Sequence, residues 1–289
     1  MAESPAHKFG QLIGNLLEEL VEPFLADFAS KSGLYLDYQK KPRPARRGKK
    51  VTWEDPYGNV HDLDYVLERD GTEDRIGTPV AFVEVAWRRY TKHSRNKAQE
   101  IQGAVLPIAE KHQWSNPFLG AVLAGEFTDG SIEQLSSLGF HVIYFPYETI
   151  TRAFLSQGMN AAFDESTPIA EFRKRVKAIE NAPVETMQEV KRHLGNENRA
   201  QIYRFLSSLN KRLARMIERI VVMPLYGRSN EFDSIDEALS FIDHHSAVEV
   251  EGDFRRYEVQ VLFSNGDKAE GSFKEKEKVL GFLKFVANQ

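Results

Sequence analysis

PVAFVEVAWRRYTKHSRNKAQEIQ, residues 79–102, opens on a short apolar run (Val80, Ala81, Phe82, Val83, Val85) with the pattern of a buried strand. One acid, Glu84, interrupts it. A carboxylate left unpaired inside a buried strand is costly, so Glu84 needs a cation, a metal or a strand-end position. Directly after the run come Arg88, Arg89, Lys92, Arg95 and Lys97, with Trp87, Tyr90 and His93 among them. Cations interleaved with aromatics suit phosphate gripping and stacking. Ser94 is a candidate N-cap for a helix reaching about residue 112, with Ala98, Ile101, Ala104, Val105, Ile108 and Ala109 as its apolar stripe. Lys97 falls inside the sector of that stripe, and as a first-turn cation it opposes the helix dipole. Two local rules broken at one residue point to a site. The competing expectation is a lysine that snorkels past the stripe into water.

Upstream, residues 8–31 place Phe9, Leu12, Ile13, Leu16, Leu17, Leu20, Val21, Phe24 and Phe28 on one broad helical stripe. Gly10, Gly14 and Glu18 succeed one another at i+4 along its edge, and Pro23 is expected to kink the helix. Residues 34–38 alternate as a strand. Residues 40–50, KKPRPARRGKK, hold two prolines and Gly48, which predict an irregular loop standing off the core. Residues 59–68, NVHDLDYVLE, have the pattern of one strand, with Asp62 and Asp64 on one face and Leu63, Tyr65 and Leu67 on the other.

Downstream, strands are expected at 118–123 and 141–145, helices at 131–138, 149–155 and 169–179, and a long helical tract from 184 towards 222. From about residue 218 the pattern becomes that of a small α+β module. It has a strand at 219–223, a helix at 234–244, a hairpin of 257–263 and 268–273 turned by Ser264-Asn265-Gly266-Asp267, and a last helix at 275–287. The expected division is a core over 1–150, a helical region over 151–217 and the module over 218–289.

The 289 residues carry a net charge of −4, and seven of the cations lie within residues 40–50, leaving −11 for the rest. Local clustering rather than the total sets the field met by a phosphate backbone; the alternative for this loop is a solvated basic segment. There is no cysteine, which excludes disulfides, thiolate zinc sites and cysteine nucleophiles. With no apolar run of membrane-spanning length and no signal-peptide pattern, the expectation is a cytoplasmic protein without a membrane partner.

The order of a helix bearing Glu18, a strand bearing Asp62 and Asp64, a strand bearing Glu84 and a helix bearing Lys97 and Glu100 resembles the PD-(D/E)xK nuclease superfamily. The resemblance covers residues 8–150 and implies a restriction-endonuclease-like α/β fold, a mixed sheet flanked by helices. It also implies Asp64 and Glu84 as ligands of Mg2+, with Mn2+ as a substitute, and Glu18 binding a second ion or orienting water. Asp62, Gln99 and Glu100 would support these ligands. The family's lysine belongs two residues after the acid, where this chain has Ala86. Either the chemistry is lost or the charge comes from the next helix, with Lys97 the first candidate and Lys92 the second.

The expected function is therefore a Mg2+-dependent endonuclease of double-stranded DNA, of the restriction or phage-defence kind. Contacts to phosphates are expected from Arg46, Arg47, Lys49, Lys50, Arg88, Arg89, Lys92 and Arg95. Two scissions per duplex suggest a homodimer, and a methyltransferase or defence subunit is a further expected partner. The alternative is a catalytically silent nuclease fold that binds DNA or a defence-complex partner.

Overall fold

The computed structural model describes residues 4–46, 48–90, 94–214, 216–224, 229–245 and 254–287. Two compact units emerge: residues up to Lys111 with Phe118–Leu209, and His112–Pro117 with the chain from Asn210 onward. The first unit is mixed α/β. In chain order it holds α1 (Pro5–Lys31), β1 (Tyr35–Tyr38), β2 (Val51–Glu54), β3 (Val60–Leu63), β4 (Tyr65–Arg69), β5 (Thr78–Arg88), α2 (Ser94–Lys111) and β6 (Phe118–Gly125). There follow α3 (Asp129–Ser137), β7 (Phe140–Pro146), α4 (Tyr147–Leu155), α5 (Ile169–Glu180), α6 (Val184–Glu197) and α7 (Arg199–Leu213).

Five strands form one mixed sheet in the order β1-β4-β5-β6-β7. The β1–β4 and β4–β5 pairs are antiparallel, and β5–β6 and β6–β7 are parallel. Side-chain alternation along β5 decides what lies on each face. Phe82 and Ala86 join Val66, Ala98, Ile101, Val105, Ile108 and Leu135 in one buried cluster, so α2 and α3 cover that side. Trp87 meets Phe9 of α1, and Gly120 lies against Phe205 of α7, so those helices cover the other. At the end of β6, Gly125 adopts φ +95°, and a Cβ there would sit 2.0 Å from the Arg88 carbonyl oxygen.

Ser4 caps α1 through the His7 amide, with Pro5 opening the helix. The helix runs on through Pro23, and its buried line continues as Leu25 and Ala29. Asn198 separates α6 from α7 within the tract expected to be one long helix, and α7 ends before the strand that begins at Ile217.

The basic loop differs most from expectation. Arg43 is buried, donating to Asp37 (2.9 Å), both Glu68 carboxylate oxygens (2.6 and 2.9 Å) and the carbonyls of Thr72 and Arg75. This bidentate, fully engaged guanidinium ties the loop to the sheet edge instead of letting it stand off. Residues 51–63 also differ. They form a separate two-stranded ribbon, Val51↔Leu63 to Glu54↔Val60, and the expected single strand at 59–68 breaks at Asp64.

The second unit contains β8 (Ile217–Pro224), β9 (Asn230–Phe232), α8 (Ile235–His244), β10 (Tyr257–Phe263), β11 (Lys268–Phe273) and α9 (Lys276–Ala287). Its antiparallel sheet has the order β11-β10-β8-β9. Alternate residues Ile220, Val222, Val259 and Val261 face Ala238, Ile242, Val279 and Phe282 of the two helices. Trp114 belongs to this unit, its ring 5.4 Å from that of Phe282.

Candidate active site: a carboxylate pair on one sheet face

The Tyr65↔Val83 pairing of β4 with β5, carried one residue further, sets Asp64 opposite Glu84. Val66, Phe82 and Ala86 face α2, so by alternation Asp64 and Glu84 share that face. Backbone amides fix both side chains: Asp64 N–H donates to Glu84 Oε1 (3.2 Å), and Val85 N–H donates to Asp64 Oδ2 (2.7 Å). Each carboxylate therefore has one oxygen committed to an amide. The other, Asp64 Oδ1 or Glu84 Oε2, has no hydrogen-bond partner among the described residues.

Glu84 is 8 % exposed. Burial and then the Asp64 charge push its carboxyl far above the usual range. Asp64 is also raised, first by burial and further by Glu18, against the lowering effects of the Val85 amide and Lys97. Among the described residues no three His, Cys, Asp or Glu side chains come close enough to hold one metal together. Asp64 and Glu84 are the two carboxylates that meet here.

Lys97, in the first turn of α2, makes no hydrogen bond or ion pair to either carboxylate, but its charge opposes the rise of both Asp64 and Glu84. Its side chain is 24 % exposed and pairs with Glu100 (3.2 Å), which also meets Arg88 (3.3 Å). The expected cap Ser94 is itself the first helical residue, with its hydroxyl 2.9 Å from that of Ser131. Glu18 contributes its charge but pairs with Lys40 (3.1 Å), while its carbonyl accepts the Tyr65 hydroxyl (2.8 Å). Gln99 is exposed. Asp62 lies apart from the pair's hydrogen bonds, on the ribbon, where it accepts from Lys50 and Thr52.

Ala86 shares the face of Glu84 but is 3 % exposed inside the cluster with Ala98 and Ile101. A lysine there would bury its stem in a filled core. Ala86→Lys is accordingly expected to lower the melting temperature, at a cost of about 1–3 kcal/mol. A thermal melt at or above that of the parent chain would count against this packing.

The expected phosphate contacts separate on inspection. Arg46 is not available: its guanidinium is 6 % exposed and is held by Asp37 and the Tyr38, Lys41 and Lys49 carbonyls. Arg89 lies 4.7 Å from the Phe172 ring centre and donates to the Asp164 carbonyl, so it serves packing. Lys49 and Arg95 are exposed, and Lys50 is exposed though paired with Asp62. Arg88 borders the site through Glu100. Arg47, Lys92 and His93 lie outside the described residues.

Unforeseen from sequence were the Asp37–Arg43–Glu68 cluster, Tyr65, and the ribbon. The ribbon had a signal: Val51 and Trp53 alternate ahead of the turn-forming run DPYGN, residues 55–59.

Fold and site together define a mixed α/β protein, its mixed sheet flanked by helices, with a buried and a half-buried carboxylate side by side on the sheet face that α2 covers. No family model matches the chain. The tyrosine–tRNA ligases of Geobacillus stearothermophilus, Bacillus caldotenax and Geobacillus kaustophilus (strain HTA426) are each 24% identical to it over 115 residues, 37% of this chain. The chain spans 27% of the length of those relatives. AF1548, a protein of unknown function with a crystal structure, aligns at a TM-score of 0.28 and 12% identity over 65% of this chain and 95% of that one. That likeness is too slight to assign a fold. No helix among the described residues is long and apolar enough to cross a membrane.

Proposed function

We propose that this chain is a Mg2+-dependent endonuclease of double-stranded DNA with a restriction-endonuclease-like core, acting in restriction or phage defence. The observation that carries the reading is the placement of Asp64 and Glu84 on one face of neighbouring strands, Glu84 buried and Asp64 half-buried, each with one uncommitted oxygen. Two such carboxylates repel, and a divalent cation relieves both the repulsion and the cost of burial. Mg2+, or Mn2+ in its stead, would be held by Asp64 and Glu84, and when bound it supplies an acidified water and offsets charge on the phosphate. The amides of Asp64 and Val85 keep the ligands in register. Lys97 brings a positive charge to the same place from α2, and among the described residues Arg88, Arg95, Lys49 and Lys50 are placed to meet the backbone. A homodimer would present two such centres to the two strands, and an associated methyltransferase or defence subunit would determine when they act.

Ala86 at the usual lysine position favours a second reading, a silent nuclease fold that binds DNA or a defence-complex partner without cutting it. Incubation with modified and unmodified plasmid DNA separates the two. Cleavage that requires Mg2+ and stops in EDTA is the expected result, with the ends then mapped. Plasmid that is bound but stays intact in both Mg2+ and Mn2+ would leave the silent reading in its place.

A further inference from the structure

The ribbon of β2 and β3 presents an outer face that nothing in the catalytic pair requires. Its inner residues Val51, Trp53 and Leu63 pack on the core, leaving Thr52, Glu54, Val60 and Asp62 outward. The tip is exposed from Pro56 to Val60, with Tyr57 at 75% and Val60 at 65% exposure. Yet this tip is held rigidly. Asp55 is buried and accepts from the Tyr57 amide (2.8 Å), the Asn59 amide (2.9 Å) and Asn59 Nδ2 (2.9 Å), and His61 Nε2 lies 3.3 Å away. Lys111 of α2 fastens the ribbon from beneath, donating to Glu54 (2.9 Å) and to the Asp55 carbonyl (3.2 Å). The turn thus displays a large aromatic and a branched aliphatic residue on a hydrogen-bonded frame, so presenting them to a partner would cost little ordering.

Charge indicates which partner. A groove of about 500 Å³ lies beside the ribbon, lined by Trp53, Val60 and Ile76 and by Lys49 and Lys50, with one carboxylate, Glu54, that Lys111 already pairs. The Lys50–Asp62 pair is largely exposed, and such pairs contribute so little that a phosphate readily takes the acid's place. The major groove of B-DNA admits a two-stranded ribbon, and there polar side chains hydrogen-bond to base edges while an apolar group meets the thymine methyl.

We infer that the β2–β3 ribbon reads base sequence in the major groove, with Tyr57 and Val60 as the reading side chains. The inference rests on the endonuclease reading and deepens it. β3 runs directly into Asp64, so at about 3.3 Å per residue the tip lies within ~20 Å of the carboxylate pair. With about 3.4 Å per base pair, the bases read lie within ~6 base pairs of the scissile phosphate.

The test selects bound duplexes from a random pool, using the full chain and the double variant Tyr57→Ser/Val60→Ser, whose substitutions are at exposed positions. The parent is expected to enrich a defined sequence. The variant should bind mixed-sequence duplex as the parent does but lose about tenfold or more of the preference, as expected when contacts to one base pair or more are removed. Three outcomes overturn the inference while the endonuclease reading stands: a variant with the parent's preference, a parent that binds duplexes without enriching any, or a variant changed only in its oligomeric state. A parent that binds no duplex at all removes the reading and the inference together.

Discussion

Glu84→Gln is expected to abolish metal-dependent cleavage and, in the same protein, to raise the melting temperature in EDTA. The amide keeps the shape of the side chain and an oxygen to accept from Asp64 N–H, but removes a charge that burial and Asp64 both oppose. The sign follows from linkage. The folded-state pKa of Glu84 is raised from 4.5 to about 8. The folded protein therefore keeps a proton that the unfolded chain releases between these values. That contribution to stability is complete below the unfolded pKa and is lost as pH rises through the folded one. In EDTA, the advantage of Glu84→Gln over the parent should thus be small near pH 5 and grow towards pH 8. A shift of a few degrees is expected, because about 1 kcal/mol moves the melting temperature by about 2–4 °C in a domain of this size. With Mg2+ the order should reverse, since only the parent retains both ligands, and cleavage should fall on the order of a thousandfold. A parent and variant whose difference in melting temperature does not change between pH 5 and pH 8 would mean that Glu84 is not a buried, proton-holding carboxylate.

The same residue shows how far this chain can be read without coordinates. Glu84 was legible because a single charge in an apolar strand breaks a pattern. Asp64 was reached only through the resemblance, as an acid of the preceding strand; the antiparallel register that sets it opposite Glu84 belongs to the fold. Lys97 was legible for the same reason as Glu84, as a cation inside an apolar sector. Asp62 shows where this logic stops. Periodicity placed it with Asp64, but the chain leaves one sheet and enters another at Asp64, which resets the faces. The break depends on β2, whose alternation of Val51 and Trp53 ahead of the DPYGN turn is a signal only four residues long. The basic loop is the other lesson. Seven cations in eleven residues suggest an open phosphate-binding surface. In the fold Arg43 and Arg46 turn inward to acids from other strands, and Lys40 and Lys41 pair with Glu18 and Glu73. Long-range pairing of this kind leaves no local trace.

Lys97→Ala is expected to lower cleavage at least about a hundredfold, the effect of losing one well-placed charge in an active site, while duplex binding changes by no more than about threefold. The side chain is partly exposed and its pair with Glu100 lies at the surface, so the fold should remain intact. A second readout separates a site role from a structural one. Lys97 opposes the rise in pKa of both carboxylates, so its removal leaves the pair harder to ionise without metal and more attractive to a divalent cation. At a pH where both carboxylates are ionised, the variant should therefore be stabilised by Mg2+ at lower concentrations than the parent, even as its activity disappears. A structural lysine would change neither quantity in that way. Cleavage within about threefold of the parent would show that the position left by Ala86 is not served from α2. If the parent itself never cuts, the Mg2+ dependence of the melting temperature still reports whether Lys97 shares a field with the Asp64–Glu84 pair, because that measurement needs no turnover.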